Sequence, residues 1–180
     1  MKLEETYSKQ ETRIDDYLAK NQTMQRDRIV IEIDPETGEE VEKVVKYTDT
    51  LRIEYNGGAA RLIKEEGVGE PLSERGAVSF YYAGYLFTSS PSTLFTTNHE
   101  ATAQGAKFNL TDADYAIFEA DMRDVELLNG LRSGLIGVRS GEECEILFSG
   151  KYAFGNHMFG TIPANSALLF KIWVVGVSND

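Results

Sequence analysis

The residues of this chain that could carry conventional catalytic chemistry are few: one cysteine, Cys144, two histidines, His99 and His157, and an acidic pair, Asp112 and Asp114. A zinc site draws on three or four His, Cys or carboxylate ligands at short spacings, and neither histidine has companions of that kind. Covalent catalysis needs a nucleophile beside a base, and no such pairing is evident along the sequence. Asp112-Ala113-Asp114 lacks the glycine and distal glutamate of a calcium loop, so it reads as an exposed helix start. Cys144 sits in "EECEILF", where alternation sets it on one strand face with Ile146 and Phe148, as a small core residue. The expectation is a protein without metal or cofactor.

What stands out instead is apolar material in an irregular stretch. "KYAFGNHMFGTIPANSALLF", residues 151–170, runs from an aromatic turn through Met158 and Phe159 to an Ile-Pro step, and only then into an alternating strand. Apolar side chains in a loop are costly in water unless something covers them.

The elements that would position this stretch can be read from periodicity. "SKQETRIDDYLAKN" predicts a helix, with Ser8 and Glu11 as a capping box and Ile14, Tyr17 and Leu18 on one face. From Ile29 the period falls to two, and Pro35 to Gly38 turns the chain into a second run, Val41 to Tyr47, as a hairpin. Leu51, Ile53 and Tyr55 alternate again, and Asn56-Gly57-Gly58 returns the chain through Ala60 to Ile63. Residues 77–86, "AVSFYYAGYL", predict an aromatic-rich strand, followed by a Ser/Thr/Asn-rich stretch, 87–107, as a long loop or irregular edge. Tyr115, Phe118 and Met122 fall at helical spacing, and Leu127, Leu128, Leu131 and Leu135 on a second apolar face, so residues 110–135 predict one or two helices, the second shortened by Gly130 and Gly134. Residues 143–148 and 167–177 predict the closing strands. Gly67 and Gly69 read as turn glycines, since the helix start and lysine of a phosphate loop do not follow.

Composition narrows the function classes. At 180 residues, 42% hydrophobic and 26% charged, the chain suits one main folded domain with an appendage. A net charge of -11 opposes binding to phosphate backbones, so nucleic acid is not an expected partner. No apolar run approaches the roughly 20 residues of a membrane-spanning helix.

The order of signals from Gly76 onward resembles the FKBP-type peptidyl-prolyl cis-trans isomerases: "FYYAGYL", "LF" in a Ser/Thr-rich stretch, "ELLNGLRSGLIGVRSGE", "KYAFG" and "IPANSALLFKI". The resemblance implies an α+β fold, a curved antiparallel β-sheet wrapped around a short α-helix, over residues 71–180, with residues 1–70 as an N-terminal helix and β-hairpin extension. It implies isomerase activity on X-Pro bonds, with the prolyl ring held in an apolar cup and the loop after "YAFG" overhanging it; the loop's apolar residues would then face a ligand. Carried over by position, Tyr82 lies on the sheet wall, Phe95 on the strand after an insertion, Leu127 and Leu128 at the helix entrance, and Leu131 where the family often has a tryptophan floor. Phe154 takes the place of a loop tyrosine, Ile162 of the overhanging aliphatic residue, and Phe170 of an aromatic on the last strand.

Two departures bear on activity. Thr96 stands where the family usually has an aspartate, and Phe154 lacks the tyrosine hydroxyl. The resemblance therefore implies weak or selective isomerase activity, or, as the alternative, a catalytically reduced peptide-binding or chaperone module. Proline-containing polypeptides are the implied clients and a macrolide the implied small ligand. Chains with this kind of extension resemble bacterial envelope lipoproteins, which implies an envelope or periplasmic location after removal of a leader, against a cytoplasmic alternative, and a homodimer through the extension. A third reading makes residues 29–63 an interaction module.

Overall fold

Strand alternation governs most of the chain, and the long runs of period two become one large sheet. The computed structural model describes residues 2–107, 112–123, 127–153 and 163–180. Helix α1 (Lys2–Asn21) leads into β1 (Thr23–Ile33) and β2 (Glu40–Thr50), which pair only with each other as an antiparallel ribbon. The remaining strands form a seven-stranded antiparallel sheet: β3 (Ile53–Asn56), β4 (Ala59–Glu65), β5 (Ala77–Phe87), β6 (Pro91–Thr97), β7 (Phe118–Asp121), β8 (Glu143–Phe148) and β9 (Ala167–Ser178). Its order is β3-β4-β8-β9-β5-β6, with β7 also on β5, so the last strand of the chain runs through the middle. Two short helices complete it, α2 (Glu100–Gly105) and α3 (Asn129–Leu135). The fold is the expected curved sheet on a short helix with a helix-and-hairpin extension.

Both faces of the sheet are covered. On the concave face α3 packs over β8 and β4, burying Leu131, Leu135, Ile146 and Phe148 in one cluster with Leu168, Phe170 and Ile172 of β9 and Phe80 of β5. Gly130 and Gly134 do not break α3; they are its contact surface. A methyl on Gly130 would lie 2.2 Å from the Phe148 ring, and one on Gly134 would lie 2.3 Å from Ile146. The helix thus rests its backbone almost directly on the sheet.

On the convex face α1 lies across the strands. Ile14, Tyr17 and Leu18 are buried there with Leu51, Ala60, Leu62, Phe87, Leu147 and Leu169. The Tyr17 ring meets Phe87 edge-on at 5.4 Å, and its hydroxyl donates to Glu145 Oε1 at 2.7 Å. Burial, reinforced by the Glu145 carboxylate, holds the Tyr17 phenol well above its ordinary pKa, so it remains a donor. Strands β3 and β4, before residue 70, belong to the same sheet through the pairing of β4 with β8.

Two local expectations are corrected. The helix starts at Lys2, so Ser8 is an interior residue whose carbonyl accepts from Thr12 Oγ1, and no capping box forms there. Residues 118–121 form β7 and not a helix, because Phe118 to Asp121 find backbone partners along Phe80 to Ala77 of β5; the helical spacing of Tyr115, Phe118 and Met122 is outweighed by sheet pairing. Within 87–107 the irregular edge is the alternative realised: Pro91–Thr97 form an edge strand with register shifts on β5, followed by α2.

Candidate active site

The concave face is aromatic because alternate residues of β5, β8 and β9 point the same way. Phe80 and Tyr82 come from β5, Phe148 from β8 and Phe170 from β9. Phe170 is stacked on Phe148 at 6.1 Å and receives Phe95 edge-on at 5.9 Å. Tyr82 stands edge-on to Phe80 at 6.1 Å and to Phe118 at 6.0 Å. Such edge-on contacts are the favoured arrangement of aromatic quadrupoles.

Burial grades from floor to rim. Leu131 and Phe170 are buried at 6% and 4% exposure, whereas Tyr82, Phe95, Leu127 and Leu128 are only partly buried and pack against the same cluster. The structure therefore brings together Tyr82, Phe95, Leu127, Leu128, Leu131 and Phe170 around one apolar surface. Thr96, next to Phe95, is partly buried on β6 opposite Gly84. Phe154 and Ile162 lie outside the described residues.

Four contributors escaped the sequence reading. Phe148 supports Phe170 from below, and Phe118 supports Tyr82; Tyr152 packs at the margin. The fourth is Gly84. A methyl there would fall 2.8 Å from Phe170 Cε1, 2.9 Å from Thr96 Cγ2 and 3.0 Å from Phe95 Cζ. The crossing of Phe95 over Phe170 thus takes place on bare backbone. A glycine in the middle of an aromatic strand, "FYYAGYL", is the available signal, since it marks close approach.

The chain on either side of residues 154–162 is tied to α1. Gln10 Nε2 donates to the Asn165 carbonyl at 2.7 Å, and Gln10 Oε1 accepts from the Gly150 amide at 2.8 Å. Tyr7 donates to Asn165 Oδ1 at 2.9 Å. A methyl on Gly150 would lie 2.3 Å from Asn165 O, so the two segments touch and one side-chain amide spans them.

Apart from the Tyr82 and Tyr152 phenols and the Thr96 hydroxyl, the residues named above around this surface carry no acid, base or nucleophile. Cys144 is buried on β8, in the same cluster as Ile146 and Phe148, with its thiol pushed up by burial away from the reactive thiolate. His99 lies on the convex face, stacked on Trp173 at 3.8 Å. Among the described residues no group of three metal-binding side chains converges. No helix among the described residues is long and apolar enough to cross a membrane.

Residues 70–175 match the family of FKBP-type peptidyl-prolyl cis-trans isomerases. The chain is 27% identical over 117 residues to FK506-binding protein 1A of Neurospora crassa, which covers 64% of this chain and 84% of that protein. Among solved structures it is similar to a multi-domain immunophilin from Arabidopsis thaliana, with a TM-score of 0.54 at 20% identity over 71% of this chain and 45% of that one. It is also similar to FkpA from Escherichia coli, with a TM-score of 0.54 at 16% identity over 98% of this chain and 63% of that one. The chain thus spans less than half of the immunophilin and somewhat under two thirds of FkpA.

Proposed function

We propose how this chain, which belongs to the FKBP-type peptidyl-prolyl cis-trans isomerase family, performs that family's reaction: it turns X-Pro bonds by holding the prolyl ring against Tyr82, Phe95, Leu128, Leu131 and Phe170. The observation that carries this reading is the graded burial, a partly exposed rim over a fully buried aromatic floor in one cluster.

The chemistry follows from the amide. Rotation about X-Pro sacrifices resonance at about 18–20 kcal/mol and takes tens to hundreds of seconds unaided. The planar amide is charge-separated and well solvated, whereas the twisted transition state is less so. A water-poor apolar surface therefore favours the twisted state relative to the ground state, and shape holds its geometry. Each 1.36 kcal/mol gained multiplies the rate about tenfold, so no covalent step is required.

The residues at the margin set how strongly substrate is held. Thr96 is neutral where the family resemblance implies an aspartate, and a hydrogen bond of that kind contributes about 0.5–1.5 kcal/mol net. The activity is accordingly weak or selective, and a macrolide competes for the same surface. Residues 71–180 act as the isomerase unit, its sheet completed by β3 and β4 of the extension over residues 1–70; the likeness to an envelope-type extension supports an envelope location, which cell fractionation tests.

NMR exchange between cis and trans forms of short X-Pro peptides, with and without protein, is the direct test. Acceleration that a macrolide abolishes supports the reading. Peptide-induced shifts at Tyr82 and Phe95 without acceleration would establish the binding-module alternative.

A further inference from the structure

The β1–β2 ribbon takes no part in the apolar site. Its strands, eleven residues each, pair with one another throughout and with no other strand among the described residues. Ile29, Ile31, Ile33 and Val44 are 62–69% exposed on it. A two-stranded ribbon standing alone in water is marginally stable, and an open edge is a template for pairing. Its root is nevertheless firmly set, because Arg26 binds Asp49 at 2.7 Å, Glu65 at 2.6 Å and the Lys64 carbonyl.

Two observations decide where cover arrives. Glu42 and Glu40 stand opposite Ile31 and Ile33 in the register, on the same face. Stacking that face against another surface would bury carboxylates together with the isoleucines, at a cost of several kcal/mol per unpaired ion. The edge carries no such penalty. Of the two edges, β2 is guarded by Lys43 and Lys46, the usual device against pairing, whereas β1 has no lysine.

The sequence of β1 is self-complementary. It reads Arg26-Asp27-Arg28-Ile29-Val30-Ile31-Glu32-Ile33, followed by Asp34. Laid antiparallel on itself with Val30 opposite Val30, it sets Arg28 against Glu32 and Ile29 against Ile31, each twice by two-fold symmetry, with Asp27 against Ile33 further from the axis and Arg26 kept by its partners at the root. Centring on Ile29 sets Arg28 against Val30, and centring on Ile31 sets Val30 against Glu32, so both neighbouring registers place a charge against an apolar side chain beside the axis. We propose that a second copy of this chain docks edge to edge on β1, forming a four-stranded antiparallel sheet across a two-fold axis at Val30.

Charge reversal tests this on the full chain, with isomerase activity and circular dichroism as controls for folding. Sedimentation equilibrium is expected to show a concentration-dependent dimer. Arg28→Glu or Glu32→Arg alone sets two like-charge pairs across the axis and is expected to weaken association about tenfold or more. The double variant Arg28→Glu/Glu32→Arg recreates both pairs in reverse and restores it. A wild-type chain monomeric throughout, a dimer indifferent to the single reversals, or a folded double variant that fails to recover would each overturn the proposal.

Discussion

Truncating Tyr82 to alanine separates its part in holding substrate from its part in holding the fold. Its ring is partly exposed and makes edge-on contacts with Phe80 and Phe118. Aromatic pairs of this geometry contribute about 0.5–1.5 kcal/mol each, so the two together set a stability loss of about 1–3 kcal/mol. A prolyl ring resting on the exposed half of the tyrosine would cover roughly 40 Å² of apolar surface, worth about 1 kcal/mol at about 25 cal/mol per Å². That corresponds to a roughly fivefold fall in kcat/KM. Tyr82→Phe keeps the wall and is expected to stay within about twofold of wild type by the same arithmetic. The assay is cis–trans exchange of an X-Pro peptide by NMR, with urea unfolding of each variant to show that it is native at the assay temperature. A native Tyr82→Ala protein with wild-type exchange rates would refute the assignment of this wall.

Three further outcomes are expected. Gly84→Ala drives a methyl into Phe95 and Phe170, costing about 1–3 kcal/mol by overpacking and lowering exchange activity more than Tyr82→Phe does; unchanged aromatic proton shifts in the variant would contradict this. Burial holds the His99 imidazole below its ordinary pKa, against a smaller opposing pull from Glu143. The stability this contributes is complete above about 6.5, the ordinary value, and is lost as pH falls through the depressed folded value. Trp173, the single tryptophan, stacks on that ring, so its fluorescence should titrate with a midpoint below about 6.5 and lose the transition in His99→Gln; a higher midpoint would reverse the sign. Gln10→Ala removes both bonds across Gly150 and Asn165, at about 0.5–1.5 kcal/mol each, and should speed hydrogen exchange of the Gly150 amide; Gln10→Glu retains the acceptor and should recover part of the protection.

The parts of this fold that could be read in advance are those where side-chain pattern and backbone pairing agree. Leu168, Phe170 and Ile172 alternate with Leu169, Lys171 and Trp173, and β9 buries them accordingly on its two faces. The apolar face of α1 was equally plain in Ile14, Tyr17 and Leu18. Phe118 to Asp121 misled because four residues are too few to separate the two periods, and the deciding fact is a partner strand about 40 residues away in sequence. For the same reason the site was legible as residue types, through Tyr82, Phe95 and Phe170, while Gly84 and Gln10 were not. Their roles exist only through what they meet across the fold, Phe95 and Phe170 for one and Gly150 and Asn165 for the other.

The cladding of the sheet's back by α1 has a consequence for biosynthesis. Tyr17 and Gln10 bind Glu145, Gly150 and Asn165, and Leu18 shares a cluster with Leu169 of β9. Since β9 also runs through the middle of the sheet, neither face can close until residues 167–178 have been translated. The greasy side of α1 therefore lacks its full seat until β9 has emerged. Contacts of such long sequence separation form slowly, so this chain is exposed, while nascent, to the hazards of delayed burial.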